Sequence, residues 1–520
     1  LPYIHRLKSV VLRQRMIKSG SCMTTSVTPS SIAQLAPTAV WQWFADICAV
    51  PHPTFHEHKL GELIIEAVKT RGQAYGLTVQ QDAKSNILIQ KPASRLDPAM
   101  AKRPRVAIQA HFDMVAQKGR DSSHDFVHDP IKPVVKDGWV WATDTTLGAD
   151  NGIGLAMALA VAFSDDIAHP PLDIVLTCEE EVGMGGVQAL SPDWLIAPRL
   201  INLDSEDEGE LFVGCAGGRD ATLQLTMPWV TAEHTTPVAV SVAGLQGGHS
   251  GIDIHKGLGN ANLLLARVLA TLSAVTPLQL HSWQGGVLRN VITREATAVV
   301  LGDRAQITHH LPAILATLQA ELHTAEPTLT LTAEPVSLEH PLALSLADSK
   351  RVLDILRSLP NGVLRMSDDF AGVVETSIST GVVTLAASEQ ADNAQLTVHC
   401  LMRSLLQTTK DDVSQRLQAL AELAGATLVL SDDYPGWQPD PDSPLLDMVS
   451  DIMARHFVGT PKLQVIHAGL ECGILKGKAA NMDMISFGPN IRAAHSPNER
   501  VEIASVAKTW QVLVDVLKAL

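Results

Sequence analysis

The stretch Ile108-Gln109-Ala110-His111-Phe112-Asp113-Met114-Val115 decides how the rest of the chain is understood. Apolar residues lead into it from Val106, which predicts a buried strand. Side chains alternate between the faces of a strand, so His111 and Asp113 project from one side at its C-terminal end. In an open α/β sheet, ligands bind at that end. Histidine is a common zinc ligand, and a carboxylate beside it can orient the ring. Alone, His-x-Asp is a weak signal, because a lone strand-end histidine is more often no ligand at all.

The pattern recurs downstream. Thr145-Thr146-Leu147-Gly148-Ala149-Asp150-Asn151-Gly152-Ile153-Gly154 sets Asp150 among glycines, ahead of an apolar, Ala-rich helix over residues 155–163. Glycines at such a junction suggest a phosphate loop. Neither Gly-Lys-Ser/Thr nor Gly-x-Gly-x-x-Gly is present, however, and a central carboxylate repels phosphate. Asp150 is therefore a candidate metal ligand, with a plain helix N-cap as the blander role. Leu172–Thr177 predicts another buried strand, running into Glu179-Glu180-Glu181. Three consecutive acids there are costly unless they are exposed or matched by a cation. Leu200-Ile201-Asn202-Leu203-Asp204 repeats the arrangement of a strand ending in an acid. Imidazole or carboxylate at four junctions along one sheet edge is far more specific than any single junction.

Bulk properties narrow the function classes. A chain of 520 residues exceeds one comfortable core, so two or more domains are expected. It is 46% hydrophobic and 18% charged, without a continuous apolar run of the roughly 18 residues that a membrane helix needs. Its 55 acidic against 40 basic residues, a formal charge of -15, argue against a nucleic-acid partner. The six cysteines form no Cys-x-x-Cys pair and suggest reduced, structural thiols in a cytoplasmic protein. No acidic residue precedes Asp46, and residues 1–30 form a basic extension, expected to be disordered, without the apolar core of a secretory signal. His52, His56 and His58 are expected to be solvated around a helix start rather than to bind metal.

After Cys215 the texture changes. A strand over 238–242, Gly247-Gly248-His249-Ser250-Gly251, a helix over 258–272, strands near Val287 and Ala298, a helix over 306–322 and a strand over 329–333 make a βαββαβ order. A weaker copy comes next: a helix over 346–359, strands over 373–385 and 395–403, a helix over 410–423 and a strand over 427–430. The expected architecture is α/β. A three-layer α/β/α domain (residues 31–215 and 434–520) carries an inserted α+β domain (residues 216–433) of two similar halves.

Together, AHFDMV, TLGADNGIG, TCEEEVGM, INLDSEDEGELFVGCAGG, GGHSG, HAGLECG and AHSPNE resemble the M20 metallopeptidases, and among them the dipeptidases, over residues 31–520. The resemblance makes the first domain catalytic and the insertion a lid. It implies two Zn2+ per chain, with Co2+ or Mn2+ suited to the same donors. His111, Asp150 and Asp204 would hold one ion. Asp150, Glu180 and His495 would hold the other, with Asp150 bridging. Glu179 would be the general base and Asp113 would stiffen His111. In the lid, His249, Asn290 and Arg403 would bind substrate and stabilise the oxyanion. Glu181, His467 and Glu471 lie inside these motifs and receive no catalytic role. The implied substrates are small peptides, chiefly dipeptides and among them Xaa-His types such as carnosine, with no nucleic-acid or membrane partner. A doubled lid would let one chain complete its own site, so a homodimer is open but not required. An aminoacylase (N-acyl amino acid deacylase) of the same fold is the main rival. A non-catalytic binding protein is opposed by the intact ligand set.

Overall fold

The computed structural model describes residues 32–232, 236–338, 342–388, 393–457 and 459–520; the basic extension expected over residues 1–30 lies outside the described residues. Its main sheet is built from β1 (Thr78–Gln81), β2 (Ile87–Lys91), β3 (Val106–His111), β4 (Leu172–Thr177), β5 (Arg199–Asn202) and β6 (Glu210–Cys215). A second sheet takes β7 (Gly217–Pro228), β8 (Pro237–Ala243), β9 (Leu278–Gly285), β10 (Ala296–Gly302), β11 (Thr330–Pro335), β12 (Val374–Ala387), β13 (Asn393–Ser404) and β14 (Thr427–Tyr434). The chain then returns to the main sheet with β15 (Lys462–Ile466) and β16 (Asp483–Ser486).

Among the described residues the main sheet runs β1-β2-β4-β3-β5-β16-β6-β15. The central strands β4, β3, β5 and β16 are mutually parallel. Every residue of β3 and β4 is buried, as expected of parallel strands covered on both faces. One face packs against helices Thr38–Cys48, His58–Thr70, Ala149–Ala162, Pro444–His456 and Ile503–Ala519. The other packs against the short helices Gly185–Ala189 and Glu471–Lys478. Ala149–Ala162 is apolar nearly all round because it is buried nearly all round.

The second sheet runs β11-β8-β10-β9-β12-β13-β7-β14, with Gly362–Met366 paired to β12 off this path. Its helices cover one face, and β8 accordingly alternates between buried and half-buried positions. The order is symmetric about the β9/β12 junction. One half is β8, helix Ala261–Ser273, β9, β10, helix Arg304–Glu321 and β11. The other is β7, helix Leu346–Ser358, β12, β13, helix Gln407–Ala424 and β14. The first strand of the second half therefore precedes the whole first half in sequence. The strand expected near Val287 ends at Gly285, and Val287 is 85% exposed on the adjoining turn. His52 is buried rather than solvated, its Nδ1 lying 2.6 Å from the Val50 carbonyl. No helix among the described residues is long and apolar enough to cross a membrane.

Candidate metal centre and active site

Three parallel strands and one helix start converge beyond the C-terminal edge of the main sheet. His111 ends β3 with its ring buried. Its Nδ1 faces Asp113, 3.3 Å from Oδ1 and 3.1 Å from the carbonyl. Its Nε2 lies 3.3 Å from Asp150 Oδ1 and 3.4 Å from Asp204 Oδ1. Asp150 turns its other oxygen, Oδ2, to His495 Nε2 at 3.1 Å. One carboxylate thus serves two imidazoles, one oxygen each. His495 sits on the connection between the short strands Ile491–Arg492 and Arg500–Glu502.

The acid run divides differently from the sequence expectation. Glu179, expected as the base, has a left-handed backbone (φ 52°), pairs with Lys84 Nζ at 2.6 Å and clusters with Glu57 and Cys178. Glu181, not Glu180, meets His495, with Oε2 2.9 Å from Nε2. Glu180 lies in the field of His111, Asp204, Glu471 and Glu181. Asp113 fixes this turn by accepting from the Glu180 amide (3.0 Å), the Glu181 amide (3.3 Å) and Thr54 Oγ1 (2.9 Å). Gly185 and Gly186 let the chain fold back against it, since a Cβ on Gly186 would lie 2.1 Å from the Cys178 carbonyl.

The electrostatics describe a centre short of positive charge. Burial opposes protonation of His111, yet the Asp204 charge and hydrogen bonds to the carboxylates of Asp113, Asp150 and Asp204 hold its pKa well above the ordinary value. His495 is pushed up to about 11 by hydrogen bonds to Asp150 and Glu181. Glu180 is raised, mainly by burial and then by neighbouring carboxylates. Glu206 rises to about 8 for the same two reasons. Glu181 Oε1 is buried without a hydrogen-bond partner among the described residues. A donor set of two imidazoles and three carboxylates with an orphaned buried oxygen fits divalent cations of borderline hardness.

The lid residues form a second cluster at the seam between the sheets. Gly248–His249 pairs with Val291–Ile292. His249 Nδ1 accepts from the Gly251 and Ile252 amides at 3.2 and 3.0 Å, so the neutral ring carries its proton on Nε2. Burial and then the Arg403 charge lower the His249 pKa, which favours that neutral form. Arg403 is buried, donates from Nη1 to Tyr434 Oη (3.2 Å) and leaves Nε without a partner among the described residues. Asn290 is exposed on the adjoining turn, and its carbonyl accepts from the Ser250 amide at 2.9 Å.

The loop over residues 466–471 joins the two clusters. His467 Nε2 contacts Ser377 Oγ at 2.7 Å, and its carbonyl backs onto Gly251. Glu471 Oε2 accepts from Gln109 and from Thr177 Oγ1 beneath the centre. Burial raises the Glu471 carboxyl to about 8. The Gly-rich loop before Asp150 and the AHSPNE motif both stand out in the sequence, but Glu499 received no role there. That buried side chain accepts backbone hydrogen bonds from the loop. Glycines that free backbone amides near a helix start were the available signal.

Known proteins resemble the chain along nearly its whole length. Residues 107–519 match Peptidase family M20/M25/M40. The chain is 45% identical over 497 residues to the cytosol non-specific dipeptidase of Escherichia coli K12, covering 94% of this chain and 99% of that protein. The aminoacylhistidine dipeptidase structure from Vibrio alginolyticus superposes with a TM-score of 0.85 at 41% identity, covering 94% and 98% of the two chains. The aminopeptidase PepT structure from Bacillus cereus, 16% identical over 93% and 98%, shares the fold at a TM-score of 0.52. Identity along nearly the whole length and a profile match spanning both sheets make this chain a member of peptidase family M20/M25/M40.

Proposed function

We propose that this enzyme is a dipeptidase working with two divalent ions, zinc foremost, on small peptides with a free C-terminus, Xaa-His dipeptides such as carnosine among them. The observation that carries the reading is Asp150, with one oxygen on each imidazole. His111, Asp204 and Asp150 Oδ1 would hold one ion; His495, Glu181 and Asp150 Oδ2 would hold the other. Bound there, the ions supply Lewis acidity that polarises a peptide carbonyl, brings the pKa of water toward about 7 and draws Glu180 into a working range.

The chain's own residues do the rest. Asp113 holds the Nδ1 proton of His111 and leaves Nε2 free as a donor to a cation. Glu180, not Glu179, takes the proton of the attacking water and returns it to the leaving amine. His249 offers Nε2–H to the developing oxyanion. Arg403 pairs its planar fork with the substrate C-terminal carboxylate, which favours dipeptides over longer chains. Asn290, beside His249, lines the same substrate approach. All these residues belong to one chain, so no partner subunit is needed. The described cysteines are free and buried, which suits the cytosolic setting in the E. coli relative's name.

The test is turnover by metal-free and zinc-reconstituted enzyme on β-alanyl-histidine, a Leu-Gly dipeptide, its C-terminal amide, a tripeptide and an N-acetyl amino acid. Zinc-dependent cleavage of the dipeptides is expected, with the amide poorer in kcat/KM. Arg403→Ala should raise KM for the dipeptides roughly 10–100-fold, the range of a charged hydrogen bond, and barely affect the amide. Cleavage of the acetylated substrate alone would reassign the enzyme as a deacylase.

A further inference from the structure

The Gly-rich loop does cradle an anion, and the anion belongs to the protein. Glu499 is 2% exposed, and its carboxylate accepts from four consecutive amides. Oε2 takes Leu147 N at 2.8 Å and Gly148 N at 3.1 Å. Oε1 takes Ala149 N at 2.7 Å and Asp150 N at 3.2 Å. These amides open the buried helix Ala149–Ala162, where the first turn has no intrahelical acceptors. The donor that ends the series is the backbone of Asp150 itself. Glu499 lies four residues after His495, in a turn closed by the Glu499 amide on the Ser496 carbonyl at 3.0 Å. One short loop therefore presents an imidazole to the side chain of Asp150 and a carboxylate to its backbone.

We propose that Glu499 is a positioning residue that sets the separation of Asp150 and His495, and so the affinity of the ion those two share with Glu181. The inference rests on the two-ion reading above. The effect should be asymmetric. The His111–Asp204 pair is fixed by β3 and by Asn151, whose side chain bonds both Asp204 and the Leu203 carbonyl, and it meets the Glu499 loop through Asp150, whereas its histidine does not come from that loop. The His495 side reaches Asp150 only from that loop. Glutamine at 499 keeps one acceptor oxygen for two amides but turns an NH2 group toward the other two donors.

The experiment titrates metal-free wild-type, Glu499→Gln and Glu499→Asp proteins with Zn2+ against a competing chelator, and monitors amide exchange over residues 147–150 in the metal-free proteins. Wild type is expected to take two equivalents. Glu499→Gln should keep one with near wild-type affinity, loosen the other at least tenfold and exchange those amides at least tenfold faster. Glu499→Asp, a poorer match in volume but charged, should recover part of the second affinity, a rescue that a space-filling role would not give. Two equivalents bound by Glu499→Gln as tightly as by wild type, equal loosening of both, or no recovery with aspartate would overturn the inference alone. A wild type that takes up fewer than two ions would overturn the two-ion reading and this inference with it.

Discussion

Two acidic clusters flank the turn over residues 178–181, and they end up chemically opposite. On one side, donor atoms of His111, Asp150 and Glu181 lie within 4.8 Å of one another; on the other, those of Glu57, Cys178 and Glu179 do the same. By density of ligands alone the two are alike. The second, however, already holds a cation, Lys84, at 2.6 Å from Glu179. It completes its balance with protons: burial raises the Glu57 carboxyl to about 7 and the Cys178 thiol to about 12. Among the described residues the first has two imidazoles to offset its carboxylates, and both are driven strongly toward protonation. Proximity of acids is thus a poor sign of a metal site unless the fold supplies no fixed cation of its own.

The sharpest way to break this contrast is to exchange the roles of the two glutamates. Glu180→Gln should lower kcat by about 10²–10⁴-fold, the usual contribution of a general base, while both ions stay bound. Glu179→Gln should lose the Lys84 pair and stay within about tenfold of wild type, since surface-proximal pairs contribute about 0–1 kcal/mol. Steady-state kinetics with metal analysis of each variant decides it. A Glu179→Gln loss as deep as that of Glu180→Gln would return the base to Glu179 and merge the two clusters into one site.

The one-residue offset between the sequence expectation and the structure has a physical cause. Glu179 and Glu180 took their expected roles from the family resemblance, and strand alternation gives no guide to the acid run because it stops where β4 does. Glu179 adopts φ 52° just past the end, and Glu180 and Glu181 turn back toward Asp113, so that Glu181 rather than Glu180 meets His495. His111, Asp150 and Asp204 stood out as candidates because each sits at an apolar strand end or beside a glycine-rich turn, whereas His495 came only with the AHSPNE resemblance. The lid's repeat was legible from helix and strand order, except for its missing strand. β7 lies ahead of the first half, and only pairing with β13 assigns it to the second. Glu499 was illegible for a different reason: its partners are about 350 residues away, and their amides leave no mark in the side-chain pattern.

A smaller effect tests the cation itself. Lys84→Met removes the fixed charge while Asp113 still holds the Glu180 and Glu181 amides, so kcat should fall only a few-fold. With that charge gone, Glu57, Cys178 and Glu179 should take up a weak third equivalent of a thiophilic divalent ion, seen with Cd2+ as thiolate charge-transfer absorbance. Lack of a third equivalent would mean that burial, rather than Lys84, keeps the second cluster closed to metal.

The smallest expected effect concerns pH. Glu57 is held at about 7 in the fold against an ordinary 4.5, chiefly by burial, with the Asp113 and Glu179 charges adding to it. The folded protein therefore binds this proton more tightly than the unfolded chain. The resulting stability is complete below about pH 4.5 and is lost progressively as pH rises through about 7, after which it changes no further. Glu57→Gln has no such proton to lose. In metal-free protein, the melting temperature of wild type relative to Glu57→Gln should fall between pH 5 and pH 8, by an amount on the order of 2 °C for a chain of this size. A pH-independent difference would show that Glu57 is ionised in the fold and balanced by Lys84. The second cluster would then be held by its fixed cation alone, and the contrast with the unfixed charges around Asp150 would become stronger.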